Sequence, residues 1–254
     1  MYNTHLRYLA VAFVEASSLN VNSQNVPTLM VRLSSVLGDV QLLPNIIHEQ
    51  TSSGLTPRYS FLTIDGTWQI NLLSGRFDVA QVSQNPIQGS DIGNYSTFSR
   101  LAGEVLITLL EYFQITPHRL GLVQEGLLRE MSNEEMVGVA RRLMNFTSTY
   151  ENYSLTDWDW RAVANVNREF GGNNEPINSV STIRKVAALA VQSGQVAPTL
   201  VPLNRIRVDI DNNTLPSNTE PRFDSNRIRS YFTEAIRWQE QLIAEFRPLI
   251  FGEQ

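Results

Sequence analysis

The stretch Pro57–Val82, PRYSFLTIDGTWQINLLSGRFDVAQV, decides the fold. Apolar and polar residues alternate on both sides of Asp65-Gly66, a dipeptide that readily takes the positive backbone angles of a tight hairpin turn. The pattern predicts two paired strands. Upstream, residues 6–16 (LRYLAVAFVEA) are short, apolar and rich in strand formers, and read as a first strand. Between them, residues 25–39 (NVPTLMVRLSSVLGD) predict a helix. Asn25 is its cap, Pro27 lies in its first turn, Leu29, Met30, Leu33, Val36 and Leu37 form its apolar stripe, and Gly38 ends it. Downstream, Phe98, Leu101, Ala102, Val105, Leu109 and Tyr112 recur at helical spacing up to Thr116-Pro117, and HRLGLVQEGLLREM (118–131) follows as a strand. The order β-α-β-β-α-β is that of a ferredoxin-like half spanning residues 1–131.

Residues 132–254 read differently. SNEEMVGVARRLMNF (132–146) has a Ser132 or Asn133 cap, acids in its first turn and Arg141-Arg142 in its last, which suits the helix dipole. Three strand-like runs follow, at 156–170, 178–192 and 200–212. Gly171-Gly172-Asn173-Asn174 and Ser193-Gly194 separate them, as in an antiparallel three-stranded meander. A long helix from Asp224 to about Phe246 braces it, with one apolar face broken only by Gln239. The expected class is therefore α+β, with two halves that can also close as one continuous domain.

Three stretches resemble an uncharacterised family of similar length, distributed sporadically through bacteria and archaea and without an assigned activity. They are the paired strands of PRYSFLTIDGTWQINLLSGRFDVAQ, the run HRLGLVQEGLL, and the terminal AIRWQEQLIAEFRPLIFGEQ. The family usually carries Tyr and Asn after its Arg-x-Gly-Leu, where this chain has Gln124-Glu125-Gly126. The resemblance implies an α+β architecture and a defence-associated gene context, and it brings no catalytic residues with it.

Composition narrows the chemistry. Residues 1–130 carry seven Arg and ten acids, and the remainder of the chain is equally mixed, with a net charge of −5. Neither half has the basic excess that sequence-independent duplex binding needs. There is no cysteine, and Lys185 is the only lysine, with no glycine-rich loop before it. Thiol nucleophiles and thiolate-bound zinc are excluded, and Schiff-base or P-loop chemistry is disfavoured. His5, His48 and His118 are far apart and show no metal-ligand spacing, and no Gly-x-Ser-x-Gly elbow occurs. No apolar run is long enough to span a bilayer, so the expected location is cytoplasmic, with no membrane partner and no cofactor.

The most chemically conspicuous segment is Asp157-Trp158-Asp159-Trp160-Arg161. In a strand, Asp157, Asp159 and Arg161 share one face and Trp158 and Trp160 the other. Arg205, Arg207, Asp209 and Asp211 similarly share one face of a later strand, opposite Ile206, Val208 and Ile210. Asp157, Asp159, Asp209 and Asp211 together would suit a magnesium or manganese nuclease site, although the neighbouring Arg side chains compete for those carboxylates. Trp158 and Trp160 either cover the terminal helix or present a stacking platform for single-stranded nucleic acid. Arg227 and Arg237, on the polar face of that helix, are the remaining binding candidates with Arg205 and Arg207. The function this pattern favours is a non-catalytic assembly subunit contacting a protein partner or further copies of itself in a prokaryotic system such as phage defence. RNA or single-stranded DNA binding is the alternative, and a metal-dependent nuclease the third.

Overall fold

The computed structural model describes residues 1–15, 21–52, 54–144, 150, 155–190 and 199–252. The elements run β1 (Thr4–Phe13), α1 (Val26–Val36), β2 (Leu42–Thr51), β3 (Gly54–Thr63), β4 (Trp68–Leu73), β5 (Arg76–Val82), α2 (Tyr95–Phe113), β6 (Arg119–Leu127), α3 (Asn133–Leu143), β7 (Asp159–Phe170), β8 (Asn173–Ala190), β9 (Thr199–Thr214) and α4 (Ser225–Phe251). The nine strands form one sheet in the order β2-β3-β4-β5-β1-β6-β9-β8-β7, and every neighbouring pair is antiparallel. The architecture is thus α+β around a single large antiparallel sheet.

The sheet is larger than the sequence pattern announces, for three physical reasons. Pro57–Val82 belongs to three strands instead of two, because Ser74-Gly75 closes a second short turn and sets Leu73 opposite Arg76. Leu42–Thr51 is a further strand whose Pro44 argues against strand on sequence alone. Pro44 is tolerated because β2 lies at the edge of the sheet. The two expected halves also share the sheet: β9 pairs with β6 from Gly121↔Asn213 to Leu127↔Arg207. The expected turn at Ser193-Gly194 lies outside the described residues.

The helices start and stop for local reasons. Asn94 accepts from the Thr97 amide to cap α2, and Ser132 and Glu135 form a reciprocal capping box on α3. Asp224 accepts from the Arg227 amide at 2.8 Å to cap α4, with the buried Phe223 just before it. α4 continues past Phe246 and through Pro248 to Phe251. Its last carbonyls are held from outside, where Arg142 of α3 donates to Leu249 O at 2.6 Å and Ile250 O at 2.7 Å.

The four described helices pack on one face of the sheet. α1, α2 and the first half of α4 close a core over Tyr8, Ala10, Phe61, Ile70, Phe77 and Leu122. α3 and the end of α4 close a second core over Ile183, Ile206, Val208 and Ile210. Gln239, the break in the apolar stripe of α4, is fully buried between these cores. It accepts from Tyr95 Oη at 2.6 Å and donates to Leu122 O at 2.9 Å, so its amide is satisfied.

Candidate functional site

Strand alternation sends the remaining side chains to the opposite face, which no described helix covers. Register orders that face into rows crossing the strands. One row is ionic. Arg7 opposes Glu125, Glu125 opposes Asp209, Asp209 opposes Thr182, and Thr182 opposes Arg161. Glu125 binds Arg7 and, at 3.1 Å, Arg207; Arg207 reaches Asp209 at 2.7 Å, and Arg184 lies 3.5 Å from Asp209. Five charged side chains on four strands thereby form one chain of opposite neighbours, the arrangement expected for a half-solvated antiparallel face.

The adjacent row is aliphatic. Ala80 opposes Leu9, Leu9 opposes Val123, Val123 opposes Asp211, Asp211 opposes Val180, and Val180 opposes Val163, which is 50% exposed. Asp211 is the single charge in this row. Burial pushes its carboxyl above the usual range, opposed by the Asn213 amide at 3.1 Å and by the more distant Arg119. Burial likewise raises Asp209 and Asp78 on this face, against the pull of Arg207 and Arg76 respectively. A third row is amide-rich: Asn213 opposes Asn178, and Asn178 opposes Asn165.

The residues singled out from sequence fall in several places. Trp158 is 6% exposed in the second core, and Trp160 packs edge-on against Phe246 of α4 with ring centroids 5.6 Å apart. Their face is closed by the chain's own helix. Asp159 and Arg161 lie on the helix-free face, but β8 intervenes between β7 and β9, so they do not stand beside Asp209 and Asp211. Asp157 is exposed just before β7. Among the described residues, no three His, Asp or Glu side chains gather as a metal-binding group, so the four Asp are not brought together.

Arg205 is 4% exposed and acts as a clamp. It donates to Leu128 O at 2.8 Å, to Gln88 O at 2.9 Å and to Thr4 Oγ1 at 3.1 Å. Arg227 is also internal, paired with Glu175 at 3.2 Å and stacked on Phe223. Arg237 remains at the surface of α4, paired with Glu234 three residues earlier. Only Arg207 of the four belongs to the ionic row.

Arg7, Glu125 and Arg184 are the members of that row which sequence reading missed. The available signal was alternation itself: Arg7 interrupts an apolar run on the side opposite Tyr8 and Ala10, and Glu125 stands opposite Leu122 and Gln124 in the same way. On the helix side, a groove of about 520 Å³ lies between α2 and α4, floored by Phe232 and Ile236. Its Arg229 donates twice to Glu104, at 2.6 and 2.9 Å, so these charges are held by each other. Burial lowers the His5 and His118 imidazoles, and Arg222 adds to the effect at His118. Among the described residues no helix is long and apolar enough to cross a membrane. Neither a family model nor a curated protein matches the chain.

Proposed function

We propose that the chain is a non-catalytic binding subunit that presents the helix-free face of its sheet to a protein partner. The observation that carries this reading is the aliphatic row Leu9–Val123–Val180–Val163, partly exposed, on which no described helix packs, flanked by an ionic and an amide row. An apolar strip crossed by one carboxylate, Asp211, and bordered by polar rows has the mixed composition of a protein-binding patch. Asp211, partly buried within the strip and accepting from the Asn213 amide, is the one charge that a covering partner would meet there. The cations of this face stand among carboxylates, which favours a protein over a phosphate backbone.

The neighbour order β6-β1-β5-β4, with α1 and α2 as crossovers, supports reading those elements as a ferredoxin-like unit with β2–β3 inserted. β9-β8-β7 is then the meander, appended at β6. On this reading the subunit works in a cytoplasmic prokaryotic assembly, of which phage defence is the example suggested by the family resemblance.

The test is capture from native-host extract with three baits. Wild type and Arg237→Glu, altered on the helix side, retain the same partner, whereas Val180→Lys loses it. Retention by Val180→Lys together with loss by Arg237→Glu contradicts the reading. The nucleic-acid alternative is measured directly. Saturable, salt-sensitive binding of labelled single strands that is lost in Arg161→Glu would replace the protein partner with RNA or single-stranded DNA.

A further inference from the structure

β7 is an edge strand built to accept a strand. It pairs with β8 through twelve successive residues with no register shift, and it contains no proline. The opposite edge, β2, is interrupted by Pro44, which has no N–H to offer. The Lys185 amide donates to Trp158 O at 3.2 Å, which fixes the phase of the ladder. Even-numbered residues of β7 turn their backbone groups to β8. Asp159, Arg161, Val163, Asn165, Asn167 and Glu169 turn theirs outward, where no described residue meets them.

We infer that this edge pairs with β7 of a second copy, antiparallel and centred on Asn165, joining two nine-stranded sheets into one. Charge complementarity selects both the occupant and the register. Centring on Asn165 sets Arg161 opposite Glu169 of the other copy, twice by symmetry, and neither side chain has an ion-pair partner among the described residues. Shifting the centre to Ala164 sets Asp159 opposite Glu169, a like-charge pair; shifting it to Val163 sets Arg161 opposite Asn165. In the selected register Ala164, which is exposed, lies opposite Val166 on the helix side, and Asn165 opposes Asn165. The amide row of the helix-free face then continues from Asn178 and Asn165 into the second copy. The pairing needs only this chain, so it stands or falls separately from any partner on the helix-free face.

The absence of cysteine makes the test clean, because a single introduced cysteine can form a disulfide only between copies. Purified Asn165→Cys links into a covalent dimer on mild oxidation, since opposed residues of a hydrogen-bonded pair lie about 5.5 Å apart. Val163→Cys does not link, since its two copies lie roughly 14 Å apart in this register. By sedimentation, wild type is a dimer at micromolar concentration. Arg161→Glu and Glu169→Arg each weaken it by roughly ten-fold or more, and the double exchange restores it. Val163→Pro removes an outward N–H without touching the β8 ladder, and gives a monomer with an unchanged circular dichroism spectrum. A monomeric wild type overturns the inference. So does a dimer that Asn165→Cys fails to trap, or one that the double charge exchange fails to restore.

Discussion

The two faces of the sheet solve the same problem in opposite ways. On the helix side, a network of buried polar groups is completed by the chain itself between β8, β9 and α4. Trp238 Nε1 donates to Ser179 Oγ at 3.1 Å, Ser179 donates to Asn212 Oδ1 at 3.0 Å, and Tyr231 Oη donates to Asn212 O at 2.6 Å. On the other face the ionic row is completed only laterally, and no described helix packs on the aliphatic row beside it. Polar side chains that finish their hydrogen bonds internally specify a fold. An apolar strip with one partly buried carboxylate and no described helix over it is the feature on which the proposed binding role rests.

The contrast predicts unequal costs for similar chemistry. Glu175, on the helix side, holds Arg222 at 2.5 Å and Arg227 at 3.2 Å, and all three are nearly buried. Glu175→Ala leaves two cations without their counter-charge and is expected to lower unfolding free energy by about 3–5 kcal/mol in a denaturant titration. Phe232→Ala removes a buried ring from the core between α2 and α4, at a similar cost of about 3–5 kcal/mol. Arg184→Gln breaks an ion pair on the helix-free face, and the same titration should register less than about 1 kcal/mol. Equal losses in Glu175→Ala and Arg184→Gln would erase the distinction between the faces.

The smallest effect is a pH dependence. Burial raises the folded-state carboxyls of Asp78, Asp209 and Asp211, so in the window above the ordinary Asp value the folded chain holds protons that the unfolded chain has released. Their contribution to stability is greatest below that window and is lost as pH rises through it. Asp211→Asn keeps an acceptor for Asn213 and cannot titrate. Thermal unfolding measured between mildly acidic and neutral pH should therefore decline less steeply with pH in this variant, with a slightly higher Tm at neutrality. A steeper decline would contradict the burial of Asp211.

Much of the helix side was legible in the sequence, because its period is strong. The stripe of α4, its Gln239 interruption and the sharing of one strand face by Trp158 and Trp160 follow from spacing, whereas the closure of that face by α4 does not. β2 was not legible, since Pro44 disfavours strand everywhere except at an edge, and sequence does not say where the edge lies. The helix-free face was half legible. Alternation assigned Arg207, Asp209 and Asp211 to one side of their strand. Yet the placement of β8 between β7 and β9, and the pairing of β6 with both β1 and β9, depend on long-range register that no local pattern encodes. Arg205 misled because burial and alternation look identical in sequence when a long cation turns inward to clamp carbonyls.

If another molecule binds the helix-free face, the cysteine-free chain allows that face to be footprinted. Val180→Cys and Thr233→Cys place one thiol on each side, and each is labelled with a bulky maleimide in buffer and in native-host extract. Protection of Val180→Cys in extract, with Thr233→Cys labelling equally in both, is the predicted result. Protection of Thr233→Cys with Val180→Cys unaffected would contradict it.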